Sequence, residues 1–162
     1  MDKEEFVIRY NEIFEGNPWY GVSLCGALSQ IPLEFWDQKP KGMLHSVTEY
    51  TWHLIDWRKF VIQKIKGNEN YDIILNSEED WRKDVYVRNT EELKIIFNEL
   101  RRTQQSLCKL ILSKENSWFK SDTSGRAYSN QYMLEGILQH DIYHLGQLNL
   151  VYCQILRLKN NI

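Results

Sequence analysis

Apolar residues recur every three or four positions along four long segments, and this helical periodicity constrains the fold more than any other feature. The segments cover residues 2–14 with a continuation over 22–31, then 46–67, 90–113 and 129–158. Strand signals are weak, and only the run DVYVRN at 84–89 resembles one. Four amphipathic helices joined by two long connections predict an all-α protein, a four-helix bundle that forms a single domain over residues 1–162.

Local signals place the ends of the second long helix. Ser46 followed by Glu49 predicts a capping box at its start, and Gly67 predicts the residue just past its end. The connection over 68–89 is long for a structureless loop, so we expect it to pack on the helices through Trp81 and Tyr86.

Charge and cysteine content exclude several classes of protein. The net charge of −2, with Lys and Arg scattered among Asp and Glu, argues against a nucleic-acid partner. No apolar run of about 18 residues predicts a membrane span, and the N-terminal segment lacks the apolar stretch of a signal peptide. The 3 cysteines are far apart and include no CxxC, which favours a reducing compartment. We therefore expect a cytoplasmic protein.

Two of the 4 histidines lie in the middle of an apolar helical face. The inward face of the last helix carries Met133, Ile137, His140, His144, Leu148, Val151 and Ile155. Burying an imidazole without a partner costs a few kcal/mol. A spacing of four lets one helical turn supply two ligands to one metal ion. The alternative is a pair of core histidines bonded to each other or to backbone, and the spacing alone leaves both open. The HExxH glutamate of zinc proteases is absent.

His53, near the inward face of the second long helix, is the candidate third ligand. Bundles build metal sites from inward groups on facing helices. Three imidazoles would leave a coordination position open, as in catalytic sites. Neutral imidazole suits Zn²⁺, Ni²⁺, Cu²⁺ or Fe²⁺.

Three stretches together resemble the DinB-like superfamily across nearly the whole chain. HDIYHLGQ at 140–147 is similar to the closing motif of that family, and the segment 45–67 is similar to its histidine helix. NPWYGVSL at 17–24 resembles its PWHG element, although Tyr20 stands where that element has a histidine. The role of that position is therefore open in this chain.

The resemblance implies an up-down-down-up four-helix bundle, often a homodimer, that holds Zn²⁺ or Ni²⁺ through three histidines. By position these are His53, His140 and His144. Characterised relatives include S-transferases that use bacillithiol and a mycothiol-dependent maleylpyruvate isomerase. A low-molecular-weight thiol is thus a second cofactor that the resemblance implies, and the partner would be a small-molecule substrate.

Residues near the histidines receive more ordinary interpretations. Asp141 is expected to point away from the site, because one residue turns a helix by about 100°, although it could instead orient a ligand imidazole. Gln147 could reach the open metal position or make a helix–helix hydrogen bond. Gly146 is expected to allow close helix approach. We expect Arg58 on a solvated face and His45 at the surface or in a cap.

Three functional hypotheses follow, and the catalytic residues remain unassigned. The first is a metal-dependent enzyme, of thiol S-transferase or hydrolase type. The second is a non-catalytic metal-binding stress or sensor module, and the third is a structural interaction bundle without metal. Cys25, Cys108 and Cys153 have no motif neighbours and are expected to be small buried residues rather than nucleophiles.

Overall fold

The computed structural model describes residues 2–159, and all regular secondary structure over that range is helical. Its elements are α1 (Lys3–Glu15), α2 (Leu24–Ser29), a 3-10 turn (Leu33–Phe35), α3 (Val47–Ile65), α4 (Thr90–Leu112), α5 (Asn116–Lys120) and α6 (Asn130–Lys159). No β-strand forms in this range, where one isolated antiparallel bridge joins Asp122 to Ser129. The all-α prediction is confirmed, and the four long helices begin and end within about two residues of their predicted limits.

Side chains at the helix ends explain these boundaries. Ser46 and Glu49 form the predicted capping box of α3: the Ser46 hydroxyl accepts from the Glu49 N–H, and the Glu49 carboxylate accepts from the Ser46 N–H. Gly67, just past α3, has φ +85°, a left-handed conformation that terminates helices and favours glycine. Asp2 and Asn89 cap α1 and α4 in the same way as Ser46.

The four long helices contact one another in pairs. α3 packs against α4 and α6, while α1 packs against the other sides of α4 and α6. The short helix α2 lies against α1 and α6, and α5 lies against α6. Two buried apolar clusters fill the interior, one around Leu54, Leu100 and Leu148 and the other around Phe6, Leu107 and Leu134. α3 and α6, which carry the candidate ligands, are thus direct neighbours.

The connection between α3 and α4 packs back onto the helices through only one of its two predicted anchors. Trp81 is partly buried against the cluster around Leu54, as expected. Tyr86 is half exposed, so its predicted role as an anchor is wrong. Val87 is buried there instead, and its N–H donates to both carboxylate oxygens of Asp37. The run DVYVRN is irregular, because it is bonded to Asp37 rather than to another strand.

A buried polar network crosses the middle of the molecule, and it corrects the expectation for Arg58. Arg58 is 1% exposed rather than on a solvated face, and Nη2 donates to Asp141 Oδ2 at 2.7 Å. Asp141 does point away from the histidines, yet it is fully buried in the ion pair and orients no imidazole. Arg58 Nη1 also donates to Gln104, whose Nε2 donates to Asn11. α1, α3, α4 and α6 each contribute one residue.

Across residues 2–159, no helix combines sufficient length with sufficient apolar character to cross a bilayer.

Candidate metal centre

The three predicted histidines meet between α3 and α6. His53 Nε2 lies 3.0 Å from His140 Nε2 and 3.1 Å from His144 Nε2. His53 and His144 are buried, at 4% and 7% exposure, whereas His140 is partly buried. His53 lies at the edge of the inward face of α3, and it is buried because the connection before α4 covers that side of the helix. The fold thus brings together histidines that are 87 and 91 positions apart in the sequence.

Hydrogen bonds on the far side of two rings fix which nitrogen faces the centre. His53 Nδ1 lies 2.8 Å from the Asp80 backbone oxygen, and His144 Nδ1 lies 2.6 Å from Gln147 Oε1. Both partners accept hydrogen bonds, so each Nδ1 carries the proton and donates. The Nε2 atoms of these two residues therefore present lone pairs to the space between the rings. This is the tautomer that a metal ligand requires.

The nitrogen positions fit a divalent ion. Two imidazole nitrogens that share one tetrahedral Zn²⁺ at about 2.0–2.1 Å lie about 3.3 Å from each other. The two Nε2 separations of 3.0 and 3.1 Å are close to that value. The lone pairs that His53 and His144 direct at one point repel each other unless a cation or a proton lies between them. The donor set, three neutral nitrogens, suits a borderline transition metal and gives a group that could hold one.

Burial keeps the imidazoles neutral. Desolvation lowers the pKa of His140 to about 2 and that of His144 to about 4, with the other rings of the cluster adding to both shifts. Burial also lowers the pKa of His53, although Asp80 opposes that change. Neutral imidazole is the protonation state that a divalent ion requires of a histidine ligand.

Asp80 is a site residue that sequence reasoning missed. It is 4% exposed, and its carboxylate Oδ1 lies 3.2 Å from His53 Nδ1, beside the backbone oxygen of the same residue. Oδ1 also accepts from Trp57 Nε1 at 2.9 Å, and Oδ2 accepts from the Asn76 N–H. A carboxylate behind a histidine is a frequent partner of metal ligands. No spacing rule could have found it, because a loop of irregular backbone carries it back to α3.

Aromatic rings enclose the centre on the side of the long connection. Trp81 stacks between two histidine rings, with its centroid 3.5 Å from His45 and 3.8 Å from His53. The prediction that His45 is a surface or capping residue is therefore wrong, because its ring is stacked on Trp81. Burial lowers its pKa. Its ring does not belong to the group of three that could share an ion.

The remaining candidates divide between near and remote positions. Gln147 bonds to His144 within α6, so it makes neither the predicted helix–helix bond nor a direct approach to the centre. Gly146 faces open space, which makes the predicted close helix approach there wrong. Tyr20 lies with Trp19 in a separate surface cavity between α1 and α6 and takes no part in the three-histidine group.

Cys25 and Cys108 are not activated nucleophiles in this environment. Burial raises the pKa of Cys25 to about 11 and also raises the pKa of Cys108, so both are thiols at neutral pH. Cys153 is exposed, which contradicts its expected burial.

The fold and the site together define an all-helical protein whose neighbouring long helices bring three histidines to one point, a group that could hold a metal ion. The chain belongs to the DinB family, whose model matches residues 1–155. No curated protein and no solved structure matches the chain significantly. The resemblance seen in the three sequence motifs is confirmed by this match.

Proposed function

We propose that this protein is a divalent-metal-dependent enzyme, of thiol S-transferase or hydrolase type. His53, His140 and His144 are its metal ligands and Zn²⁺ or Ni²⁺ is its ion. The observation that carries the proposal is the convergence of three Nε2 atoms, two of them oriented by acceptors behind their rings. Three protein ligands leave a position for a further ligand, as catalytic zinc sites do.

The ion, when bound, would supply Lewis acidity, lowering the pKa of a thiol or water so that it is nucleophilic at neutral pH. The chain's own residues hold the ligands in place. Asp80 and Gln147 keep Nδ1 of His53 and His144 protonated, which commits Nε2 to the ion. Trp81 stacks on His53 and limits the access of water from that side.

Other parts of the proposal rest on the family and on the sequence. We propose that the four long helices run up-down-down-up, which their pairwise contacts and two long connections support. We also propose a homodimer in the cytoplasm, acting on a small molecule with a low-molecular-weight thiol as second cofactor.

Turnover by metal-loaded protein tests the enzymatic proposal. Protein loaded with Zn²⁺ or Ni²⁺ would be assayed with bacillithiol, mycothiol or cysteine plus a panel of electrophiles, and with ester and amide substrates for hydrolysis. A His53→Ala/His140→Ala/His144→Ala variant is the control. Turnover in the loaded protein and its loss in the variant are expected. Stoichiometric metal with no turnover of any pair would instead support a non-catalytic binding module.

A further inference from the structure

Beside the three-histidine group, α3 and α6 line a half-open cleft of about 200 Å³, which we call the aromatic cleft. Trp57, Phe60, Tyr128, Tyr132, Gly136 and His140 contribute to its walls. Val61, Met133 and Ile137 supply the rest of the surface, so nearly all of the wall is carbon. No Asp, Glu, Lys or Arg is among these lining residues.

The aromatic cleft is continuous with the three-histidine group. His140 lines the cleft with its ring, and its Nε2 lies 3.0 Å from His53 Nε2. The Trp57 ring centroid lies 5.5 Å from that of His140 and 5.4 Å from that of Phe60. Trp57 is itself held by the bond from its Nε1 to Asp80, the residue behind His53. A molecule in the cleft therefore lies against a proposed metal ligand.

The volume limits what the cleft can hold. An apolar protein cavity of about 150 Å³ binds benzene and stays dry. The cleft, at about 200 Å³, therefore suits one six-membered ring with a small substituent. Aromatic walls favour an aromatic guest, because ring edges and faces attract through their opposite partial charges.

Two cations lie over Phe60, and neither lines the cleft. Arg126 Cζ is 5.5 Å from the Phe60 centroid, but its guanidinium is paired with Asp72. Lys64 Nζ is also 5.5 Å from that centroid, and it donates to the backbone oxygens of Asn68 and Glu69. In metal-free protein an anionic ring would therefore lose its hydration in the cleft without gaining an ion pair with a lining residue.

We propose that the aromatic cleft binds an uncharged single aromatic ring of the substrate and holds the substituent of that ring beside the three histidines. This inference rests on the proposed function, since it names the substrate class of that site. It assigns Trp57 and Gly136 to substrate binding: Trp57 forms a wall, and Gly136 leaves room that a larger residue would occupy.

Gly136 provides a test that spares the fold. A Cβ built there meets no atom within 4 Å, so Gly136→Leu projects into the cleft without a backbone clash. Leucine also favours the interior of a helix more than glycine. Gly146→Leu is the matched control, because Gly146 lies in the same helix with the same open surroundings but outside the cleft.

The measurement is an NMR titration of metal-loaded protein with benzyl alcohol, benzoate and cyclohexylmethanol, following the Trp57 indole N–H and the Ile137 amide. Benzyl alcohol is expected to shift both signals in the wild type and in Gly146→Leu, with at least tenfold weaker binding in Gly136→Leu. After removal of the metal by a chelator, when no ion can coordinate its carboxylate, benzoate should bind at least tenfold more weakly than benzyl alcohol to the wild type. Cyclohexylmethanol should bind several-fold more weakly than benzyl alcohol to the metal-loaded wild type.

Each opposite result overturns the proposal. Absence of shifts with benzyl alcohol, equal binding to Gly136→Leu, equal binding of benzoate to the metal-free wild type, or equal binding of cyclohexylmethanol would each do so. The three-ligand comparison needs only the wild type, so it decides even if Gly136→Leu fails to fold. Metal content measured on the same samples separates the two proposals. Bound metal without benzyl alcohol binding defeats the cleft alone, whereas ring binding without any metal uptake defeats the metal site.

Discussion

Arg58 and Asp141 form a fully buried ion pair, Nη2 to Oδ2 at 2.7 Å, which joins α3 to α6. Arg58 follows His53 by five residues, and Asp141 follows His140 directly. The pair therefore holds the two helices that carry the candidate metal ligands against each other, next to the three-histidine centre. Buried charges stabilise a fold only while both are present, since removing one leaves the other unpaired in a medium of low dielectric constant.

Arg58→Met is expected to lower the free energy of unfolding by about 3–5 kcal/mol, because it leaves the Asp141 carboxylate buried without its partner. The Arg58→Met/Asp141→Leu variant removes both charges and should recover most of that loss. Urea unfolding of Arg58→Met, Asp141→Leu, the double variant and the wild type at neutral pH checks this. A double variant as unstable as the sum of its single changes would show that the pair is not coupled.

Gln147 is expected to set the affinity of the centre through His144. Gln147→Leu removes the acceptor that orients the His144 ring and should weaken metal binding by about 10–100-fold. Gln147→Glu keeps an oxygen acceptor at the same position and should bind at least as tightly as the wild type. Competition with a fluorescent zinc chelator measures both constants. Equal affinity in Gln147→Leu and the wild type would contradict the role of this bond.

Metal-free protein is expected to lose stability as the pH falls below about 6.5. In the folded chain the pKa of His140 is about 2 and that of His144 about 4, whereas unfolded histidines have a pKa of about 6.5. Between pH 6.5 and about 4 the unfolded state thus binds more protons, and stability falls by roughly 1 kcal/mol per pH unit for each ring. Urea unfolding after chelation, from pH 7 to 4.5, measures this.

The matched control for this pH dependence is the triple alanine variant. It lacks the three imidazoles and should show a clearly smaller loss of stability over the same range. The carboxylates and His45 are present in both proteins, so their contributions to the pH dependence cancel in the comparison. Parallel pH profiles in the two proteins would contradict burial of neutral histidines in the metal-free state.

Much of the fold and of the three-histidine cluster was predictable, because these features depend on periodic or local signals. The capping box at Ser46 and the stripe through His140 and His144 are written into neighbouring positions of one helix, and the structure places them as expected. The third histidine, His53, needed the family motifs as well, because helical spacing placed it only near the inward face.

The remainder depends on long-range packing that periodicity does not encode. The sequence predicted a solvated position for Arg58, but its guanidinium is buried against Asp141, which lies on another helix 83 residues further along the chain. Asp80 reaches His53 through an irregular connection, and the same connection brings Trp81 between His45 and His53. Such contacts depend on how the connection packs on the helices, and local sequence patterns do not predict that packing.

Metal content is the most direct test of the three-histidine centre. Untagged protein purified without chelator, and the triple alanine variant prepared beside it, would be measured by inductively coupled plasma mass spectrometry before and after incubation with Zn²⁺ or Ni²⁺. The account predicts close to one ion per chain in the wild type and almost none in the variant. A wild type that neither carries metal nor takes up either ion would contradict it and make the three histidines ordinary core residues.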